Sequence, residues 1–591
     1  MNLQYPYPFI FGAQYYRAPT PERECWQADL RRMRQLGFNH VKLWVQWRWS
    51  HRQEGTFIFD DVDELLELAQ QYDLKATINI VFDVAPSWLF RKYPDATQVM
   101  NNGRRIEPYT VGHRQIGGHP GPCYNHPGAL EERQKFLAAA VEHFRTSPAL
   151  MMWDVWNEPE LSFPQRSPNI DTLACYCPHC QSRFLEWLKT KYTSPERLNQ
   201  VWGRCYENWD EVETPRNPAT FTDFIDWREF HIETMTAEAK WRLEMVRRID
   251  PHKVAYLHVV PNVMSVFNSV TCAADDFEMA QHCDVFAASI YGGPILASQV
   301  VSAARGKLCY NVESHVNGGC TNMHQRILTK TDILKDFLPQ IGLGIRGFLF
   351  WQYRPEVLGY ESPAWGLVGL DGSDRPVTHA VRDFWAALSP YAEAILVCPP
   401  APAQIGIWKS RKNEIFHFCM HQNLNPLIDS VEGYIQAFYG SSLPFRIISG
   451  EMLANGELDG LKLLILPSPY YLTEAEAAAL DAWVRGGGVL VSEAHLAGYN
   501  GTTGRHSRIL PGCGLAQSWG LREVDSTSSY HLKLEKAEAY RGAATEDVRK
   551  ALAEYGVTGG EYFPISPAQN KGKIVWGASR YAVLAGKGLQ V

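Results

Sequence analysis

From residue 9 to about residue 390 the chain repeats one pattern, a short apolar run followed by a longer amphipathic stretch. That alternation leaves little choice of architecture. Short apolar runs read as strands buried on both faces, and the amphipathic stretches read as helices that cover them. The runs are FIFGAQYY (9–16), HVKLWV (40–45), KATINIV (75–81), ALMMWDVW (149–156), VAYLHVV (254–260), DVFAASIY (284–291), KLCYNV (307–312) and GFLFWQY (347–353). Between them lie helical patterns such as PERECWQADLRRMRQLG and DDVDELLELAQQYD. Eight strands with intervening helices predict a (β/α)8 TIM barrel, with its largest insertions after strands 3 and 4.

A Pro- and Ala-rich stretch, SPYAEAILVCPPAPAQ (389–404), ends this pattern. The alternation then restarts with QIGIW, PFRIIS, LKLLILPSP and GGVLVSEA, which predict a smaller flavodoxin-like α/β domain with a parallel sheet. We divide the chain into a barrel at 1–392, the α/β domain at 393–525 and a poorly patterned C-terminal segment at 526–591, in the place of a truncated β domain. Gly486-Gly487-Gly488 lies between a helix and a strand. A phosphate loop needs the opposite order, so these glycines read as a helix stop.

Two glutamates stand where the barrel strands end, Glu158 in MMWDVWNEPE and Glu313 in KLCYNVESH. Barrel enzymes carry their catalytic groups at the C-terminal ends of the strands. Two carboxyl groups facing each other there suit glycoside hydrolysis, in which one protonates the leaving oxygen and the other attacks the anomeric carbon. Tyr291 ends strand 6, where it can orient or tune Glu313. Trp351 ends strand 8, where an aromatic face can stack under a sugar ring or pack in the core.

ACYCPHCQSRF sets Cys175, Cys177 and Cys180 in a C-x-C-x-x-C cluster. Three thiolates this close can converge on one tetrahedral zinc, and Cys123 in GGHPGPCYNHP is the best fourth ligand. All-sulfur ligation leaves no position for water, so the zinc is expected to be structural and a zinc hydrolase is excluded.

The net charge of −7, with no long basic block, argues against nucleic acid and anionic membranes as partners. No apolar run approaches the ~20 residues of a membrane span. The opening MNLQYPYPFIFGAQYY lacks a basic region followed by an apolar one, and the cysteines number 13. With no secretory signal a disulfide framework is not expected, and the chain reads as cytoplasmic.

Over about residues 1–525 the chain resembles glycoside hydrolase family 42, β-galactosidases with a barrel, a trimerisation domain and a small β domain. The resemblance rests on FGAQYY, QEGTFIFDDVD (53–63), APSWLFRKYPD (85–95), WNEPE, the four cysteines and FWQYR (350–354). It implies that Glu158, preceded by Asn157, is the acid/base and Glu313 the nucleophile of a retaining exo-acting β-glycosidase. Asn157 would then hydrogen-bond the sugar 2-OH, and the zinc would be held by Cys123, Cys175, Cys177 and Cys180. It also implies a homotrimer acting on an oligosaccharide or glycoside. Three family positions that read galactose differ here. An Arg before the first zinc cysteine is His119, and a Trp after the nucleophile is Thr321. The Glu-x-x-His after strand 8 keeps Glu361 but ends in Ala364. The alternatives are the same chemistry on an α-L-arabinopyranoside, β-fucoside, β-mannoside or β-glucoside, and a non-enzymatic carbohydrate-binding protein.

Overall fold

A computed structural model describes residues 8–82, 85–106, 121–161, 169–264, 267–291, 293–316, 328–359 and 361–523. The C-terminal segment 526–591 and the candidates His119 and Thr321 lie outside the described residues. The chain forms two compact units. The first comprises the described residues within 8–184, 231–262 and 267–400, and the second those within 185–230, 263–264 and 401–523.

The first unit is a closed, all-parallel barrel. Its strands are β1 (Ile10–Gln14), β2 (His40–Gln46), β3 (Lys75–Val81), β4 (Leu150–Asn157), β5 (Val254–Val259), β6 (Phe286–Ala288), β7 (Cys309–Ser314) and β8 (Ile345–Phe350). All eight expected strands are present. Only β3 has both ends as read, and two of the differences bear on the site. β6 is shorter, and β7 runs on through Glu313 instead of stopping before it.

Along β2 the side chains alternate between two environments. Val41, Leu43 and Val45 are apolar and buried, whereas His40, Lys42 and Gln46 are polar and equally buried. Polar members recur on the other strands as Gln14, Thr77, Asn79, Asp154, His258 and Asn311. These polar groups meet one another across neighbouring strands. His40 Nε2 lies 2.8 Å from Thr77 Oγ1, and Asn79 Nδ2 donates to the Asp154 carbonyl at 3.2 Å. The opposite faces pack on the helices in an aromatic layer, with Phe11 stacked on Trp385 at 4.4 Å and edge-on to Phe350 at 5.4 Å. Close approach of β1 and β2 requires Gly12, since a Cβ there would sit 1.7 Å from the His40 carbonyl oxygen.

In the second unit, β9 (Ile405–Lys409), β10 (Phe445–Ser449), β11 (Leu463–Leu466) and β13 (Val489–Ser492) form a parallel sheet in the order β10-β9-β11-β13. Counted within the unit this is the 2-1-3-4 order of flavodoxin-like folds. β12 (Tyr471–Leu472), β14 (Tyr499–Asn500) and β15 (Arg505–His506) make a small second sheet. The helix Glu474–Arg485 opens on a Thr473/Glu476 capping box and closes at Gly486, so the glycine run is a helix stop.

The units divide after Pro400 and not after residue 392. A side-chain anchor explains the difference. Arg346 on β8 donates to the Cys398 carbonyl at 2.6 Å and holds the helix Ala392–Val397 with the barrel. Residues 185–230 belong to the second unit although they fall inside the barrel's insertion in sequence. Arg411 pairs with Glu229 at 2.8 Å, and Phe221 packs edge-on against Phe416 at 5.2 Å. Among the described residues, no helix is long and apolar enough to cross a membrane.

Candidate active site

β4 and β7 bring their glutamates to the same end of the barrel. Glu158 follows the last residue of β4 with a φ of 47°. That left-handed backbone is rare for a residue with a side chain, and such strain concentrates at functional sites. It is held by the Glu158 amide, which donates to the His258 carbonyl at 3.0 Å. A carboxylate oxygen of Glu158, one of Glu313 and a ring nitrogen of His258 all lie within 4.8 Å of one another. So close an approach of the two oxygens is in keeping with the ~5–5.5 Å pairing of carboxyl groups in retaining glycosidases.

The two carboxyl groups have opposite surroundings. Ser289 Oγ and the Tyr291 hydroxyl both donate to Glu158 Oε1, at 2.6 and 2.7 Å. Burial nevertheless pushes the Glu158 carboxyl above its ordinary range, and the charge of Glu313 adds to the rise. Burial also acts upward on Glu313, but the neighbouring imidazoles of His258 and His315 outweigh it and hold that carboxyl well below the usual range. The ring nitrogens face it at 3.6 Å for His258 and 3.5 Å for His315. Gln14 Nε2 donates to Glu313 Oε2 at 2.8 Å, and Trp44 Nε1 fixes Gln14 by donating to its Oε1 at 2.7 Å. The surroundings thus bias the two carboxyl groups in opposite directions, Glu158 toward holding a proton and Glu313 toward ionisation.

Tyr291 serves Glu158, not Glu313 as its strand-end position suggests, because its hydroxyl reaches across to the β4 carboxyl. Asn157 is buried, and its Oδ1 has no hydrogen-bond partner among the described residues. Trp351 is only 2% exposed and packs with Trp44 and Val81. The Arg17 guanidinium lies over its ring at 4.7 Å, so Trp351 is a core residue here and not an open platform. Trp365, partly buried against the same cluster, stacks on His315 at 4.8 Å, and His315 in turn meets Tyr291 at 4.5 Å. Glu361 is held by Arg17 Nη2 at 2.5 Å, and the same guanidinium binds Glu356 through two nitrogens. Ala364 is fully buried.

Sequence reasoning missed Gln14, Lys42, Trp44, Asp154, His258, Ser289 and His315. A signal was present for Lys42, Asp154 and His258. Each is a charged or titratable residue inside a strand otherwise rich in apolar residues, where burial without a partner is too costly to persist.

Cys123, Cys175, Cys177 and Cys180 are all buried, and their sulfur atoms lie within 4.8 Å of one another. Cys123 Sγ is 3.3 Å from Cys177 Sγ and 3.4 Å from Cys180 Sγ, far beyond a disulfide bond. Four sulfurs around a zinc at ~2.3 Å would stand ~3.8 Å apart, so the set fits tetrahedral thiolate ligation. Amides also converge on these sulfurs. The backbone N–H and Nδ2 of Asn125 donate to Cys123 and Cys180, each at 3.3 Å, and the Val99 N–H donates to Cys175 at 3.5 Å. Beside them Asp95 joins His126 at 3.2 Å and His179 at 2.9 Å. His126 Nδ1 accepts the Ala129 N–H as a helix cap, so its Nε2 carries the proton and faces Asp95 as a donor.

Residues 14–390 match the glycoside hydrolase 42 family model, described as β-galactosidase. The chain is 24% identical over 533 residues to the β-galactosidase BgaB of Geobacillus kaustophilus, covering 83% of this chain and 73% of that one. It is 26% identical over 384 residues to the β-galactosidase LacZ of Heyndrickxia coagulans, covering 62% and 54%. Among solved structures, a β-galactosidase of Bacillus circulans sp. alkalophilus superposes with a TM-score of 0.76 at 19% identity, covering 89% of this chain and 77% of that one.

Proposed function

The chain belongs to glycoside hydrolase family 42 and is a glycoside hydrolase, and we propose that it is a retaining, exo-acting β-glycosidase. The observation that carries this reading is the approach of Glu158 and Glu313 to within 4.8 Å with opposite proton affinities. Glu313 attacks the anomeric carbon while the bond from that carbon to the leaving oxygen breaks, and Glu158 gives its proton to that oxygen. In the second half Glu158 takes a proton from water, the water oxygen attacks the anomeric carbon, and Glu313 departs as a carboxylate. Two inversions give net retention. We read Asn157 as the partner of the sugar 2-OH, a role supported by its Oδ1, which has no hydrogen-bond partner among the described residues.

The names of the relatives make a terminal β-galactoside the first substrate class to test. The ion pair of Arg17 with Glu361 supports a second reading, another equatorial glycoside, because a carboxylate already engaged by a guanidinium has less capacity left for sugar hydroxyls. A panel of p-nitrophenyl glycosides ranked by kcat/KM, with proton NMR of the first-formed anomer, separates the two. If the β-galactoside ranks first, the second reading is wrong. If the first product is inverted, the double displacement is wrong.

We assign a structural zinc to Cys123, Cys175, Cys177 and Cys180, a role supported by the four converging sulfurs. Freshly purified protein should carry one zinc per chain. Cys177→Ser should lower both the zinc content and Tm while leaving KM nearly unchanged. Zinc-free wild-type protein with an undiminished Tm would remove the assignment. The second unit's likeness to a trimerisation domain supports a homotrimer, for which light scattering should give a mass near three chains. A monomer at micromolar concentration rejects it.

A further inference from the structure

Among the described residues, His258 has a ring nitrogen within 4.8 Å of a carboxylate oxygen of both Glu158 and Glu313. It stands on β5, fully buried, and carries the polar alternation of that strand into the centre of the site. Its two ring nitrogens have different neighbours. Nδ1 lies 2.6 Å from Asp154 Oδ2, and Lys42 Nζ approaches the same oxygen at 2.8 Å. Lys42 and Asp154 are themselves completely buried. Nε2 has no hydrogen-bond partner among the described residues, and it faces Glu313 Oε2 at 3.6 Å.

We propose that His258, locked from below by Asp154 and Lys42, is a positioning residue that makes Glu313 and not Glu158 the nucleophile. This rests on the double-displacement reading and adds to it the cause of the division of labour. The argument is one of charge and donors. Lys42 Nζ lies 3.2 Å from Nδ1, but Asp154, which is acceptor-only, is closer at 2.6 Å and takes the Nδ1 proton, while Lys42 donates to Asp154 at 2.8 Å. A bare Nε2 lone pair set against a buried carboxylate oxygen would be two acceptors facing each other, so Nε2 also carries a proton and the ring is a cation. Lys42 and His258 then supply two positive charges, and Asp154 and Glu313 two negative ones. The buried set is neutral only if Glu158 keeps its proton, which is the state the first chemical step needs. Placement favours the same outcome. Nε2 lies 3.6 Å from Glu313 Oε2, whereas Glu158 takes its hydrogen bonds from Ser289 and Tyr291.

The groups that bear on the titration come from several strands. Glu313 faces Gln14 from β1, His258 from β5, His315 just beyond β7, and Glu158 past the end of β4. His258 faces Asp154 from β4 and Lys42 from β2. Burial opposes charge on the imidazole, but Asp154 outweighs it and raises the pKa of His258 above the ordinary histidine value.

A probe that needs no acid catalyst isolates the nucleophile. We would label the full-length enzyme with a 2,4-dinitrophenyl 2-deoxy-2-fluoro glycoside of the best sugar in the panel. The trapping rate would be followed against pH, and the labelled residue identified by peptide mass. In the wild type the rate should be level down to about pH 5, with its acid limb below the ordinary glutamate value of ~4.3. In His258→Gln the limb should move up by about one pH unit or more, and in Asp154→Asn in the same direction by less. Melting temperatures identify folded variants. A purely structural role would lower the rate without moving the limb, so a folded His258→Gln with an unmoved limb overturns the proposal. The wild-type limb is read without any variant, and a limb at or above ~4.3 overturns it even if both variants fail to fold. Failure to label Glu313 in the wild type would instead reject the double displacement itself.

Discussion

Replacing Glu313 by alanine should remove glycoside turnover by roughly 10⁴-fold or more, on the scale of losing a covalent nucleophile. The fold should survive, since the side chain lies at the open end of β7 and a shortened residue breaks no strand pairing. The space it leaves is lined by donors. Gln14 Nε2, His258 and His315 all face the vacated oxygens. A small anion such as azide should therefore bind there, attack the anomeric carbon directly and restore turnover of an activated aryl glycoside. One displacement replaces two, so the product should be a glycosyl azide of inverted configuration, visible by proton NMR. An alanine variant that hydrolyses aryl glycosides at near the wild-type rate would show that Glu313 is not the nucleophile.

Glu158→Gln is expected to cost 10²- to 10⁴-fold on substrates whose leaving group must be protonated, the usual contribution of a general acid. The glutamine oxygen can still accept from Ser289 and Tyr291, so the site should keep its shape. Formation of the glycosyl-enzyme from a 2,4-dinitrophenyl glycoside should fall far less, because that leaving group departs without a proton. The pH profile supplies a second check. Glu158 acts protonated in the first step and its carboxyl is raised by burial and by Glu313, so kcat/KM is lost as pH rises through that group. Glu313 acts ionised and its carboxyl is lowered, so kcat/KM is lost as pH falls through it. The wild type should be bell-shaped, and the glutamine variant should lose the alkaline limb only. Equal loss on both leaving groups, with the alkaline limb intact, would assign the proton to another residue.

The two glutamates were legible because each interrupts a distinctive pattern. Asn157-Glu158-Pro159 stops a Trp-rich strand, and Glu313 sits in a strand followed by loop-like sequence. The cysteine cluster was legible for a simpler reason, since three thiols in six residues are close in space whatever the fold. Tyr291 and Trp351 were visible as strand-end aromatics, yet their partners were not. A side chain's partner depends on which neighbouring strand it leans toward, and nothing in its own strand records that. The shared engagement of Glu361 and Trp351 by Arg17 joins residues 334 or more positions apart, and no local pattern carries such a contact.

By itself the sequence determined the class of fold and the chemistry available to it. The spacing of apolar runs admits little besides an eight-stranded barrel followed by a smaller parallel sheet, because each run must be buried on both faces and each intervening stretch can cover it. The residue types at the strand ends supply two carboxyl groups, and the thiols supply a soft-metal ligand set. The resemblance named an acid/base and a nucleophile, but only the tertiary structure supplies a physical cause for a difference between the two carboxyl groups. That cause is electrostatic, and it depends on groups brought together from β1, β2, β4, β5 and β7. Lys42, Asp154 and His258 are separated by more than a hundred residues at each step of the chain, but they meet within 3.2 Å inside the barrel. Charges interact through distance in space and through the dielectric around them, and barrel closure sets both.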